Sequence, residues 1–135
     1  MPNDPSTAVA KTRTRRPRPA ALTGPAKVEA ILQAAAAKQA QDVVVLDLRD
    51  VSSFTDFFII MSGRSTTHVQ ALAEAIEAGL KACRVKPRNT EGLRDAVWVL
   101  ADYGDVVVHI FYSETRQFYD LEGLWHDAPR LEVTL

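Results

Sequence analysis

Residues 96–111, with the sequence AVWVLADYGDVVVHIF, constrain the fold of this chain more than any other stretch. The runs 96–101 and 106–111 are rich in β-branched and aromatic residues and have the length of strands. The connector Asp102-Tyr103-Gly104-Asp105 supplies aspartates that hydrogen-bond their own backbone and a glycine that accepts positive φ. The stretch therefore predicts a β-hairpin.

Apolar periodicity before the hairpin predicts two helices and two buried strands. Helical spacing begins at Pro25, which suits a first helical position, and fades around residue 39. The segments 43–48 and 57–62 are continuous apolar runs, as expected of strands covered on both sides. A second helix with one apolar face follows the caps offered by Ser65 and its neighbours and ends near Cys83.

A short strand and a last helix complete the predicted order. Pro87 limits the segment VKPRN to a short or edge strand. Ser113 is a predicted cap for a last helix, in which apolar residues fall at helical spacing: Phe118, Leu121, Leu124 and Trp125. The order is then helix, strand, strand, helix, short strand, strand, strand, helix. This alternation predicts an α/β fold, with a single domain in which a mixed β-sheet is flanked by helices.

Charge divides the chain into a basic start and an acidic body. Residues 1–24 hold five basic groups, one acidic group and four prolines, and residues 25–135 hold 11 basic and 16 acidic groups. The start buries too little apolar surface to offset its ordering entropy, which predicts a disordered basic tail, either solvated or touching RNA phosphates weakly. We expect the folded domain over 25–127 and a C-terminal tail over 128–135.

Cysteine content and hydropathy indicate the compartment. Cys83 is the one cysteine, so neither an internal disulfide nor a cysteine zinc site is expected, and a reducing cytoplasm is predicted. No apolar run reaches the roughly 18 residues that a membrane-spanning helix needs, which predicts no membrane association. The Arg-rich, acid-poor start also has the composition of a transit peptide, which keeps an organelle as a minor alternative.

Catalytic chemistry would need groups that converge, and the sequence offers none at the required spacing. Magnesium chemistry needs at least two carboxylates on one side, as in Asp-x-Asp on a strand, and this motif is absent. The three histidines lie far apart, and His109 is interpreted as a hydrogen-bonded structural histidine. The turn from Ser62 to Ser65 is either a helix cap or, with Arg64 and His68, an anion site. We predict no catalytic, cofactor-binding or metal-binding residues.

Trp98 raises the main functional question. On strand 96–101, Trp98 and Leu100 are expected to point to one face of the sheet and Val99 to the other. If helices leave the first face partly open, Trp98, Leu100 and the neighbouring Tyr103 form an exposed apolar patch of the kind found at protein interfaces. The residues alone leave core and interface equally open.

Three segments resemble the ribosomal silencing factor family, also called the Iojap family. They are DVVVLDLRDVSSFTDFFIIMSGRSTTHVQALA at 42–73, EGLRDAVWVLADYGDVVVHIF at 91–111 and TRQFYDLEGLW at 115–125. The resemblance covers about residues 25–127. It implies a nucleotidyltransferase-like fold lacking the catalytic carboxylates, no cofactor and no enzymatic activity.

The resemblance also implies a partner. Members of this family bind the large ribosomal subunit through its fourteenth ribosomal protein, block joining of the small subunit and repress translation when nutrients are short. Organellar relatives assist large-subunit assembly, and members are often homodimers. An assembly factor using the same interface and a metal-dependent nucleotidyltransferase are the alternatives. The partner-binding role passes by resemblance to Trp98, Leu100, Asp102, Tyr103, Asp105, Arg116 and Tyr119.

Overall fold

The computed structural model describes residues 22–133, which form one α/β domain with a six-stranded mixed sheet. None of its helices is long and apolar enough to cross a membrane. In chain order the elements are α1 (Gly24–Ala37), β1 (Gln41–Asp47), β2 (Phe57–Gly63), α2 (Thr66–Ala82), β3 (Asn89–Glu91), β4 (Trp98–Asp102), β5 (Val106–Tyr112), α3 (Ser113–Tyr119), α4 (Leu121–Leu124) and β6 (Arg130–Leu131).

The strands lie in the order β3-β4-β5-β2-β1-β6. Strands β2 and β5 pair in parallel at the centre, and every other neighbouring pair is antiparallel. The predicted hairpin is confirmed as β4 and β5, with Trp98 opposite Phe111 and Asp102 opposite Val107. Its turn contains Gly104 at φ 91°, a conformation that glycine adopts without steric cost.

Helices α1 and α2 cover one face of the sheet, here called the inner face. Apolar side chains from both helices pack against alternate residues of β2, β4 and β5, since successive residues of a strand point to opposite faces. A partly buried ion pair joins α1 to the hairpin turn. Lys27 Nζ lies 2.7 Å from Asp105 Oδ1 and donates to the Tyr103 carbonyl at 2.9 Å. The turn is therefore fixed to the helical layer.

The opposite face, here called the outer face, is covered only in part, by the C-terminal segment. The single last helix predicted over 113–125 is wrong, because Asp120 adopts φ 44° and separates α3 from α4. The Asp120 carboxylate accepts the Gly123 N–H at 3.2 Å and starts the second helix. Ser113 does not cap α3 as expected, since Tyr112 is the N-cap and offers no side-chain hydrogen bond.

Both predicted domain boundaries need correction. Thr23 caps α1 by accepting the Ala26 N–H, and Gly24 is buried, so the fold begins inside the predicted tail of 1–24; residues 1–21 lie outside the described part of the chain. At the other end Ala128 is buried, and β6 pairs with β1. The predicted tail of 128–135 therefore contributes an edge strand to the sheet.

The turn between β2 and α2 is built as a helix cap. Ser65 Oγ accepts the His68 N–H at 3.0 Å, which confirms the cap. The His68 ring accepts the Arg64 N–H through Nδ1 at 2.9 Å and contacts the Lys38 carbonyl through Nε2 at 2.7 Å. Because both ring nitrogens are already bonded, His68 joins the ends of α1 and α2 rather than presenting a free donor to an anion.

Candidate partner-binding surface

Strand β4 places a row of three side chains on the outer face. Trp98, Leu100 and Asp102 alternate with Val99 and Ala101, which are buried among the inner-face side chains. All three outer residues are half-buried. The expected division of this strand into two faces is confirmed.

The Trp98 ring is held in place from several directions. It stacks on Phe111 with ring centroids 5.0 Å apart, and Tyr119 of α3 approaches to 4.6 Å. The indole Nε1–H donates to His109 Nδ1 at 3.1 Å. An aromatic side chain fixed in this way loses little conformational entropy when a partner binds, which favours its use as an anchor.

His109 supports Trp98 from within the sheet. The side chain is 3% exposed, and Phe58 lies edge-on to it with centroids 4.6 Å apart. Because Nδ1 accepts from the indole, the proton sits on Nε2, which has no hydrogen-bond partner among the described residues. Burial lowers the pKa of His109 to about 4. The interpretation of His109 as a hydrogen-bonded structural histidine is confirmed.

This buried neutral histidine predicts a loss of stability in mild acid. Below the usual histidine pKa of about 6.5, His109 is protonated in the unfolded chain but stays neutral in the folded chain. The free energy of unfolding therefore decreases as the pH is lowered from about 6.5 to about 4. Between pH 7 and 5 this amounts to about 2 kcal/mol. Urea unfolding at both pH values measures it.

A His109→Gln variant is the matched control for this measurement, because glutamine keeps an acceptor for the Trp98 indole but does not titrate. The drop between pH 7 and 5 should shrink by about 2 kcal/mol in the variant. The pKa values of Asp47 and Glu122 are lowered in the fold, so their contributions are lost only in stronger acid, outside this range. An equal drop in both proteins would contradict the assignment.

Tyr119, which contacts the Trp98 ring, forms an exposed aromatic pair with Phe118. Phe118 is 83% exposed and Tyr119 is 47% exposed, and their rings lie edge-to-face with centroids 5.2 Å apart. We call Trp98, Leu100, Phe118 and Tyr119 the aromatic surface. Beside Trp98 and Leu100 a depression of about 230 Å³ also involves Glu91 and Gly92 of the neighbouring edge.

A second apolar patch lies further along the outer face. Phe54 and Leu124 are 68% and 73% exposed, and Trp125 is half-buried. The Trp125 ring approaches Phe54 and Phe58, with centroid distances of 6.4 and 5.6 Å. The outer face thus carries apolar side chains at the surface on both sides of the buried His109.

Tyr103 does not belong to this surface. It is 3% exposed and packs among the inner-face residues, and burial, followed by the charge of Glu77, raises its pKa to about 12. It was expected beside Trp98 and Leu100, but it follows the row by an odd number of positions and turns to the helix-covered face. The expected exposure of Tyr103 is wrong, and the partner-binding role that the resemblance gives it stays a prediction.

Arg116 is likewise a residue of the fold and not of the surface. Its guanidinium is buried, lies 2.8 Å from Glu122 Oε2 and donates to Ser62 Oγ and the Asp42 carbonyl. Burial alone would raise the pKa of Glu122, but the hydrogen bond and charge of Arg116 outweigh it and leave the pKa lowered. This cluster ties the C-terminal segment to the ends of β1 and β2. The burial of its guanidinium does not fit the partner-binding role that the resemblance gives Arg116, and that role stays a prediction.

The two aspartates of the hairpin turn are engaged within the fold but remain partly exposed. Asp102 Oδ1 accepts the Gly104 N–H at 2.8 Å, and Asp105 forms the ion pair with Lys27. Asp102 continues the row of Trp98 on the outer face, so it borders the aromatic surface. Asp105 lies in the turn itself, just before β5, and its carboxylate pairs with Lys27 of α1.

Phe118, Phe54 and Leu124 are surface residues that the sequence did not single out. Phe118 and Leu124 were assigned to the apolar face of one continuous helix, and the break at Asp120 turns both outward. An aspartate three residues before Gly123 was the available signal, since aspartate is a favoured N-cap. Nothing in the sequence around Phe54 distinguished it from a core residue.

The geometry is that of an α/β sheet with one face covered by helices and the other carrying exposed aromatic side chains. Within residues 22–133, no three His, Cys, Asp or Glu side chains lie together in a way that could hold a metal ion. The chain belongs to the ribosomal silencing factor family, because residues 21–135 match the family model described as "Ribosomal silencing factor during starvation". The resemblance stated from the motifs is thereby confirmed.

Individual relatives agree with this membership. The chain is 42% identical over 109 residues to the ribosomal silencing factor of Bacillus subtilis, covering 78% of this chain and 92% of the relative. A crystal structure of a protein from Bacillus halodurans matches with a TM-score of 0.71 at 37% identity, covering 78% of this chain and 96% of that one. The predicted α/β class is confirmed.

A eukaryotic relative carries a different description. The chain is 35% identical over 91 residues to the mouse protein "Mitochondrial assembly of ribosomal large subunit protein 1", covering 65% of this chain and 40% of the mouse protein. Both descriptions refer to the ribosome, one to silencing and one to assembly.

Proposed function

We propose that this protein represses translation without catalysis, by binding the large ribosomal subunit in the cytoplasm and sterically preventing the small subunit from joining. The contact is made with the fourteenth large-subunit ribosomal protein. The observation that carries the proposal is the aromatic surface, where Trp98 is fixed by His109 and Phe111 and stands beside exposed Phe118 and Tyr119. Family membership supports a ribosomal partner.

The composition of the aromatic surface suits a protein partner. Trp and Tyr are enriched among residues that dominate binding energy, and such residues are most effective when rigid and surrounded by contacts that exclude water. Leu100 and Phe118 supply that apolar surround. Exposed aromatic clusters of this kind mark interaction sites in folded domains.

Charge supports a basic partner protein. The described body holds 16 acidic and 11 basic groups, all of the acidic groups of the chain except Asp4. Asp102 borders the aromatic surface on the same face, at the end of the β4 row. Ribosomal proteins are generally basic, and complementary charge accelerates encounter and suppresses wrong partners.

Repression by this route needs affinity and bulk but no turnover. A domain seated on the joining surface of one subunit excludes the other by occupying its space. The test is a joining assay with purified subunits. The chain should sediment with large subunits and reduce the fraction of joined ribosomes in proportion to its occupancy, whereas binding without any effect on joining would refute steric repression.

Large-subunit assembly is the alternative function, favoured by the description of the mouse relative. It uses the same surface at a different time. Cells that lack the protein would then accumulate large-subunit precursors. If the protein is a repressor, cells that lack it would instead keep mature subunits at normal levels and translate more during starvation. The homodimer implied by the family resemblance remains a proposal that analytical ultracentrifugation of the free chain tests.

The burial of Tyr103 predicts that its hydroxyl takes no part in binding. Tyr103→Phe should change the affinity for large subunits by less than about twofold, because the side chain lies on the inner face and phenylalanine preserves its packing. Binding is measured by co-sedimentation across a range of protein concentrations. A loss of about tenfold or more in a folded variant would return Tyr103 to the interface.

A further inference from the structure

We propose that a basic cluster at the end of α2 binds the RNA phosphate backbone of the large subunit, as a second contact beside the aromatic surface. The cluster comprises Lys81, Arg84, Lys86 and Arg88, within the segment KACRVKPR, which contains no acidic residue. This inference rests on the proposed function, since it assumes that the chain docks on a particle made of RNA and protein.

The cluster departs from the rest of an acidic body. All four side chains are exposed, and none has a carboxylate of the described residues within 4 Å, although ion pairs form elsewhere in the fold. Lys81, Lys86 and Pro87 line a surface depression of about 370 Å³, in which Glu77 is the one acidic side chain. Exposed cations that lie close together in the sequence are the chemistry that phosphate groups recruit.

Backbone geometry at Arg84 supplies a further argument. α2 ends in a Schellman motif: the Arg84 N–H donates to the Lys81 carbonyl at 2.9 Å, and the Val85 N–H donates to the Leu80 carbonyl at 2.8 Å. The residue after the cap adopts φ 64°, a position where glycine is the usual and more stable choice. Arginine there places a cation at a cost to the fold. The helix dipole does not require it, because Lys81 already occupies the last turn.

The basic cluster lies where one partner could contact it and the aromatic surface at the same time. The Arg88 N–H donates to the Asp102 carbonyl at 2.7 Å, and β3 begins at the next residue. Glu91 of β3 lies opposite Leu100 of β4, so the basic segment leads directly into the sheet edge beside the aromatic surface. A partner that covers Trp98 and extends across this edge reaches the cluster, where the ribosome offers RNA phosphates in abundance.

The test compares two double variants that remove equal charge. Arg84→Gly with Lys86→Gln removes two cations of the cluster, whereas Lys38→Gln with Arg64→Gln removes two exposed cations near the opposite end of α2. Affinity of the full chain for purified large subunits is measured between about 50 and 200 mM salt. The cluster variant should bind about tenfold more weakly at low salt, with a slope of log K against log salt that is shallower by about 1.5. The control should match the unmodified chain.

Misfolding cannot explain the expected loss, because Arg84→Gly relieves the left-handed backbone and should raise the Tm by about 4 °C. Large subunits substituted with 4-thiouridine then identify the ligand: irradiation should place an RNA adduct on the peptide containing residues 84–88. Equal affinities and salt slopes in the two double variants would overturn the proposal. A weaker cluster variant whose segment crosslinks only to protein would overturn it as well and indicate an acidic protein partner.

Failure of this inference is distinguishable from failure of the proposed function. If the unmodified chain binds large subunits and blocks joining, and the cluster variant behaves identically, the proposed repression is supported and the proposed RNA contact is refuted. If the unmodified chain does not bind large subunits, the proposed function falls. Binding of both double variants to a single-stranded RNA of about 20 nucleotides at low salt then decides the inference, with a weaker cluster variant supporting it and equal binding refuting it.

Discussion

Trp98→Ala lowers the affinity of the chain for large ribosomal subunits by about 3 kcal/mol, on the order of 100-fold. The indole is the largest side chain of the aromatic surface, and it is held by Phe111, Tyr119 and the His109 hydrogen bond. Its removal deletes the anchor and also frees the neighbours that position it. Sedimentation binding with purified large subunits measures the change.

Two companion variants separate binding from folding. Val97→Ala truncates an exposed apolar residue adjacent to Trp98 in sequence and should leave the affinity unchanged. Phe118→Ala removes a ring that is 83% exposed, so it cannot disturb the core, and should weaken binding by about 1 kcal/mol. A Trp98→Ala protein that keeps its circular dichroism spectrum and binds like the unmodified chain would place the partner contact elsewhere.

Arg116→Ala lowers the free energy of unfolding by about 3 kcal/mol, because truncating one member of a buried ion pair leaves the other charge unpaired. Glu122 would lose its guanidinium partner, and Ser62 Oγ would lose the donor that it accepts from. The contacts between the C-terminal segment and the ends of β1 and β2 would weaken together. Urea unfolding followed by tryptophan fluorescence measures the loss.

A double-mutant cycle identifies the cause of this loss. Combining Arg116→Ala with Glu122→Gln should cost less than the sum of the two single changes, since the unpaired charge is then absent. The Lys27–Asp105 pair, which is more exposed, is the comparison and should contribute about 1 kcal/mol or less. Unchanged unfolding of Arg116→Ala together with lost subunit binding would restore the partner role first expected of Arg116.

Local sequence patterns predicted the parts of this fold that depend on local physics. The hairpin, the two faces of β4 and the structural role of His109 all follow from period-two alternation and turn chemistry. The same alternation, extended past the end of β4, would have turned Tyr103 inward. Tyr103 was expected beside Trp98 because the two residues are close in sequence, but they point to opposite faces of the sheet.

The errors concern contacts between distant parts of the chain. Arg116 is buried because it binds Ser62 and Asp42. Both partners lie far upstream in the sequence, so the helical spacing around Arg116 carries no information about these contacts. The edge strand β6 forms only because β1 offers it an unpaired edge. The break at Asp120 exposed Phe118, a result that the continuous apolar spacing of 118–125 concealed. These features depend on tertiary structure, so motifs could not supply them.

The most direct test of the central claim is the joining of purified subunits in the presence of the unmodified chain and of Trp98→Ala. With large subunits saturated by the unmodified chain, a sucrose gradient should show separate subunits in place of joined ribosomes. At the same concentration Trp98→Ala should allow joining. Joined ribosomes that retain the bound unmodified chain would contradict steric repression through the aromatic surface.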